Sequence, residues 1–376
     1  MVTAMEELYP RAWAQPGDPV GLVVGDPAAD VRRIHFAVDP VEVVVDEAVA
    51  AEADLLVVHH PLLFRAVHTV AADGPKGRVV HALISHGIGL YVAHTNADSP
   101  PGGVSESMAL ALGLQHLRPL DPDPAEPMDK LVTFVPHEHS DAVIDALAAA
   151  GAGRIGDYDR CAYVVDGWGT FRPGIGASPV IGRPGETELV EEHRVEMVVP
   201  RQLRGAVVSV LREVHPYEEP AFDVYELAGS PGERGTGRVG QLAHPMPLRD
   251  FAQRVVDALP VTAVGARVSG DLGREVRSVA LVGGAGDSML DAARAAGVDV
   301  YVTSDLRHHP ASEAREHRDA PALVDVPHWA AEWTWLPVVE RRLQDSLDKR
   351  GYTVATEVSR ICTDPWNHRA APSADT

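Results

Sequence analysis

Two adjacent histidines, His59 and His60, follow directly on the apolar run Leu55–Val58 and precede Pro61. A continuous aliphatic run reads as a strand buried on both faces, and α/β proteins gather ligands at the carboxyl ends of such strands. Imidazoles placed there suit a metal ion. The competing reading makes one histidine a satisfied core residue and the other a loop residue, so the rest of the chain has to decide. The same arrangement recurs three times. The run Gly89–Ala93 ends in His94, with Asp98 beyond it; Val298–Thr303 ends in Ser304-Asp305, with His308 and His309 following; Leu323-Val324 ends in Asp325, with His328 and Glu332 following. His328 and Glu332 are spaced i, i+4, so on a helix they share a face and can reach one ion together. Taken singly, that pair is equally a solvated helix-face pair, and His94 with Asp98 equally a loop hydrogen bond.

His59, His60, Asp98, His328 and Glu332 together supply three imidazoles and two carboxylates. That is too many ligands for one tetrahedral zinc with an open position, and about right for two ions bridged by a carboxylate and a water. With no thiolate in the set, zinc, manganese, iron and cobalt all remain open. Two such ions lower the pKa of a shared water and make hydroxide available near neutral pH, so hydrolysis is the natural chemistry. His94, Asp305 and His309 are the candidate catalytic groups, for proton transfer and substrate contact. The same three would also serve as support behind metal-bound histidines.

The elements that must position these residues can be read in order. Ile34–Asp39 is a strand, Pro40–Ala53 has apolar residues at helical spacing, and Leu55–Val58 is the next strand; this order makes a parallel βαβ unit. A helix over Arg78–His86 leads to the strand Gly89–Ala93, and Val104–Leu112 is a helix closed by Gly113. Asp121–Pro127, with proline alternating with carboxylates, reads as an extended linker. The segment after it runs strand, helix, strand, strand, helix, strand, with Tyr163–Val165 and Gly167–Phe171 expected as a hairpin; this is the order of a ferredoxin-like α+β sandwich. Gly229–Gly240 is the expected return linker. Beyond it come a helix over Pro247–Leu259, a strand over Val276–Val282 and a Gly-rich turn, Gly283–Ser288. That turn could face a phosphate at a helix N-terminus, or could serve close helix–strand packing; it has neither the Lys-Ser/Thr of a P-loop nor a dinucleotide fingerprint.

The resulting expectation is an α/β protein in four parts: 1–127, the first half of a metal-binding α/β domain; 128–230, an inserted ferredoxin-like domain; 231–363, the second half; and 364–376, a mobile tail. At 376 residues the chain is too long for one ordinary core. Lys and Arg number 33 against 54 Asp and Glu, a net charge of -21 that repels phosphate backbones and anionic membranes, so nucleic acid is a poor partner. A small anionic substrate stays compatible, because a divalent metal outweighs the surrounding field locally. Cys161 and Cys362 are the only cysteines, too few for a disulfide framework, which fits a reducing cytoplasm. Met1–Trp13 lacks the cationic start and apolar core of a signal peptide, and no apolar stretch approaches membrane-spanning length.

His59-His60-Pro61, His94-Thr-Asn-Ala-Asp98, Thr303-Ser-Asp-Leu-Arg-His308-His309 and His328-Trp-Ala-Ala-Glu332, in this order, resemble the NIF-three-like dinuclear metal family, whose members are named type 2 homologues of GTP cyclohydrolase 1. The resemblance implies a three-layer sandwich built from two α/β halves, with the insert of the longer bacterial members, a PII/CutA-like ferredoxin fold in which His215-Pro-Tyr-Glu-Glu-Pro-Ala-Phe-Asp-Val-Tyr225 is the characteristic segment. That segment is either a ligand or interface site, or a turn whose Tyr217 packs on the sheet. The resemblance also implies two divalent metal ions per chain, held by His59, His60, Asp98, His328 and Glu332 with Glu332 as bridge. It further implies a homohexameric toroid and hydrolytic opening of the purine ring of GTP with loss of formate. Val23 stands where the family usually has glutamine and Ser304 where it has glycine, departures that bear on substrate contacts and not on the ligands. A non-enzymatic metal-storage, metal-delivery or regulatory assembly is the alternative function.

Overall fold

The computed structural model describes residues 1–370. The chain forms two compact units, one made of Met1–Asp123 with the chain from Glu233 onward, the other of Pro124–Gly232. The first unit begins with β1 (Gly21–Val24), β2 (Arg33–Ala37), β3 (Leu55–Val58), β4 (Gly89–Val92) and β5 (Gln115–Pro124). β2, β3 and β4 are parallel, joined by the helices Glu42–Ala50 and Pro75–Ser85, because strands buried on both faces need helical crossovers to cover them. All four residues of β3 are buried, as the unbroken aliphatic run requires.

In the second unit β6 (Met128–Pro136), β7 (Ala162–Phe171), β8 (Glu188–Pro200) and β9 (Phe222–Glu226) form an antiparallel sheet in the order β7-β8-β6-β9. The helices Ser140–Ala149 and Arg204–Val214 share its core, where Ile144, Leu147, Val207 and Leu211 meet Leu131, Val195 and Met197. This is the ferredoxin-like order. The expected hairpin within Tyr163–Phe171 is instead one strand, paired with β8 from Ala162 to Phe171. Glycine breaks the sequence pattern there for a packing reason: a Cβ at Gly169 would stand 1.9 Å from Oε2 of Glu192. The Tyr217 hydroxyl donates to Oε1 of the same Glu192 at 2.7 Å, which packs the His215-Pro-Tyr turn on the sheet.

The chain returns through β10 (Pro231–Pro247), β11 (Arg267–Ser269), β12 (Glu275–Ala285), β13 (Val300–Ser304), β14 (Ala322–Asp325) and β15 (Ala355–Val358). The two sheets of the first unit run β1-β4-β3-β2-β15 and β11-β14-β13-β12-β10-β5. Both stretches expected as linkers thus contribute to strands. Pro122 and Pro124 lie in β5 at the edge of its sheet, where a missing N–H costs no ladder bond. The glycines of β10 allow close approach: a Cβ at Gly235 would lie 2.3 Å from the Asp121 carbonyl oxygen, and one at Gly240 would lie 2.7 Å from the Leu117 side chain.

One core joins the two sheets of this unit through helices between them. Phe36, Val57 and Tyr91 of the first sheet and Val279, Leu281 and Val302 of the second pack with Met108, Phe251, Trp335 and Leu343. Smaller cores cover the outer faces of each sheet. Helix and strand bounds otherwise differ from expectation by a few residues; the chain starts with a helix over Val2–Leu8 and a short turn of 3-10 helix over Arg11–Trp13. No helix among the described residues is long and apolar enough to cross a membrane. Of the expected tail, 364–370 carry neither helix nor strand, and 371–376 lie outside the described residues.

Candidate metal centre

The carboxyl ends of the parallel strands in both sheets of the first unit converge on one site. β3 delivers His59 and His60, the turn after β4 delivers His94 and Asp98, and the short helix His328–Trp333 after β14 delivers His328 and Glu332. Pro327 precedes that helix, and the i, i+4 spacing puts Nε2 of His328 2.7 Å from Oε1 of Glu332. Oε2 of Glu332 lies 2.9 Å from Nε2 of His60, while Nε2 of His59 stands 3.5 Å from both Oε1 of Glu332 and Oδ1 of Asp98. All five expected ligands therefore meet in space, although Asp98 is separated from Glu332 by most of the chain.

Each imidazole is oriented from behind. Nδ1–H of His59 donates to the Ala93 carbonyl at 2.8 Å, that of His60 to Oδ1 of Asp39 at 2.7 Å, and that of His328 to Oδ2 of Asp305 at 2.6 Å. A carbonyl or carboxylate can only accept, so each Nδ1 carries its proton and each neutral ring turns an Nε2 lone pair inward, the tautomer a metal ligand needs. Lone pairs then face carboxylate oxygens at hydrogen-bonding distance, an arrangement that is repulsive until a cation sits between them. Oδ1 of Asp98 and Oε2 of Glu332 are buried without a hydrogen-bond partner, the latter in spite of its 2.9 Å approach to Nε2 of His60. Buried polar atoms are rarely left so. The donor set fits two divalent ions.

The electrostatics say the same. Burial pulls the pKa of His60 down, but the Glu332 carboxylate in front and Asp39 behind outweigh it and hold it up at about 11. His328, buried but flanked by Glu332 and Asp305, is held at about 10. Burial pushes Glu332 up, yet the three imidazoles around it keep it well below the usual carboxylate range. Without metal, protons occupy the places that cations would take.

Of the three candidate catalytic residues, two border this cluster. The His94 ring lies 5.2 Å from that of His59, and its Nδ1 bonds Oδ1 of Asp18 at 2.9 Å. Asp305 reaches the centre only through His328, and it does so with a left-handed backbone, φ 56°, a conformation Asp tolerates better than most residues. His309 is exposed on the helix His308–Arg315; its ring meets that of His308, and no hydrogen bond or ion pair joins it to the cluster among the described residues.

Several participants were missed in the sequence. Asp39 ends the run after β2 just as His59 ends β3, so its strand-end position was a usable signal. Asp18 lies in a loop and offered none. The Gly-rich turn resolves toward close packing: Gly284 has φ +81°, and a Cβ there would stand 2.6 Å from Oε1 of Glu332 and 3.4 Å from Nε2 of His328. Trp335 closes the buried side, with its ring 5.5 Å from that of His59 and its Nε1–H donating to the Tyr9 hydroxyl at 3.0 Å. A cavity of about 590 Å³ lies elsewhere; it is walled by residues of the second unit and includes none of the converging ligands.

Comparison with known proteins agrees with the motifs. The family model Duf34/NIF3 (NGG1p interacting factor 3) matches residues 1–365. A Mycobacterium tuberculosis protein named GTP cyclohydrolase 1 type 2 homolog is 48% identical over 368 residues, covering 98% of this chain and 96% of that protein. The crystal structure of a Bacillus cereus protein related to NIF3 is 39% identical, covers 97% of each chain and superposes with a TM-score of 0.78. That of Staphylococcus aureus protein SA1388 is 26% identical, covers 98% of this chain and 97% of its own, and gives a TM-score of 0.82. This chain belongs to the Duf34/NIF3 family.

Proposed function

We propose that the protein is a dinuclear metal-dependent hydrolase acting on a nucleotide or related heterocycle, with ions held by His59, His60, Asp98, His328 and Glu332. The observation that carries this reading is the convergence of three Nε2 atoms on the buried Glu332 carboxylate and the buried Oδ1 of Asp98, with every Nδ1 already committed. Two divalent ions bound there would supply a hydroxide nucleophile near neutral pH and a Lewis acid for the substrate. The chain's own residues do the rest. Glu332, with one oxygen toward His328 and the other toward His60, would hold the ions together with those histidines. His94 moves a proton at the rim: Asp18 holds its Nδ1 and stabilises the imidazolium when the other nitrogen takes one up. Phe64, 61% exposed with its ring 5.9 Å from that of His94, offers a flat heterocycle an apolar face.

The name GTP cyclohydrolase 1 type 2 homolog carried by relatives makes GTP ring opening with formate release the first reaction to test. Elemental analysis of the purified chain, followed by formate detection from GTP and an untargeted metabolite screen on the metal-loaded form, tests the reading. Turnover that is lost in Glu332→Ala supports it. Metal binding without turnover of any metabolite favours the storage or delivery alternative, in which the metal exchanges freely. A homohexamer and a cytoplasmic location belong to the same proposal, and light scattering checks the first.

A further inference from the structure

A second cluster of ligating side chains lies wholly within the ferredoxin-like unit. His193 on β8 stands directly opposite Asp166 on β7 and opposite Val135 on β6, and His137 follows the end of β6. Residues directly opposite across strands lie on one face of the sheet, so the three side chains are brought together by register. Nε2 of His193 is 3.1 Å from Oδ1 of Asp166, and Nε2 of His137 is 3.7 Å from the same oxygen. The two rings stack with centroids 4.0 Å apart. One ligand atom from each of the three lies within 4.8 Å of those of the others.

The orientation of His193 is set from behind, as in the first centre. Ser140, 4% exposed at the start of its helix, donates its hydroxyl to the Pro136 carbonyl at 3.4 Å, and its oxygen therefore accepts from Nδ1–H of His193 at 2.8 Å. A neutral His193 ring then points an Nε2 lone pair at a carboxylate oxygen 3.1 Å away, two acceptors in contact. A proton relieves that pair but leaves His137 aside; a metal cation satisfies all three donors at once.

We infer that His137, Asp166 and His193 form a further metal site, for a late first-row divalent ion such as zinc, separate from the dinuclear centre. Two imidazoles and one carboxylate match the preferences of such ions, and three protein ligands leave a coordination position open. The ligands are part-exposed, from 25% for His193 to 84% for Asp166, which makes the ion exchangeable and not a structural staple.

The test uses the full chain, stripped with a chelator and dialysed to equilibrium against zinc, with bound metal counted by elemental analysis. Asp166→Asn and His193→Ala should each bind one zinc fewer than wild type, and Ser140→Ala should bind that zinc about 10- to 100-fold more weakly. Glu332→Ala should keep it. Asp166 is exposed, so its variant folds whatever His193→Ala does. If Asp166→Asn and His193→Ala bind as much zinc as wild type, the site does not exist. If the dinuclear reading alone is wrong, wild type binds a single zinc and Asp166→Asn none, which leaves this inference standing.

Discussion

Oε2 of Glu332 approaches Nε2 of His60 to 2.9 Å, joining a helix near the carboxyl end of the chain to a strand end near its start. With Nδ1–H of His60 donating to Asp39, the facing Nε2 and carboxylate oxygen need a proton or a metal cation to share them. Glu332→Gln should lower bound metal by at least one ion per chain while the far-ultraviolet circular dichroism stays that of wild type. Full metal content in that variant would remove Glu332 from the centre.

Asp39 and Asp305 hold the rings of His60 and His328, and would act on a bound metal only through them. Asp39→Asn and Asp305→Asn should weaken metal binding by about 10- to 100-fold without abolishing it. Competition against a chelator of known affinity measures this. Asp18→Asn, which disturbs His94 and the Thr95 amide and hydroxyl that Asp18 also holds, should keep the metal and lower turnover.

Metal uptake should release protons. His60 at about 11 and His328 at about 10 are protonated at neutral pH when no metal is present, because Glu332 outweighs the effect of burial. Protons and metal compete for the same nitrogens, so affinity falls as pH falls and rises as pH rises toward those values. Calorimetric titration in two buffers of different ionisation enthalpy reads the protons directly; equal heats in both would contradict the assignment.

Gly284→Ala should damage the centre from the backbone side. A left-handed alanine costs roughly 1–2 kcal/mol, and its Cβ would stand 2.6 Å from Oε1 of Glu332. The expected result is a lower melting temperature together with reduced metal content. A variant that keeps both would show that the turn yields without moving Glu332.

The ferredoxin-like unit should lose stability in acid through Asp129. Its buried carboxylate accepts from Arg204 Nε at 2.7 Å and Arg201 Nε at 3.1 Å, and the Arg204 hydrogen bond, more than the opposing burial, holds its pKa below the usual value. A depressed carboxylate contributes stability above its unfolded pKa and loses it as pH falls through the folded one. Asp129→Asn should cost about 1–3 kcal/mol, less than for a fully buried pair because both arginines can return to water. The variant should also flatten the acid limb of the stability curve, as denaturant melts at several pH values would show.

By itself the sequence determined the parallel strands and the residue types at their ends. Aliphatic runs such as Leu55–Val58 are diagnostic because a strand buried on both faces has no polar alternative, and histidine at their abrupt ends has few reasons to be there. His328 and Glu332 were legible because helical periodicity is local. What only the tertiary structure decided is everything that depends on two distant segments meeting. The glycines of Pro231–Pro247 look like a linker until β5 is seen packed against them. Gly169 looks like part of a turn until Glu192 is seen needing the space. Asp18 and Asp39 become orienting groups only when their carboxylates are seen against His94 and His60, and Asp166 joins His137 and His193 only through strand register. Periodicity records which face a residue takes, whereas a site is made by which faces come together.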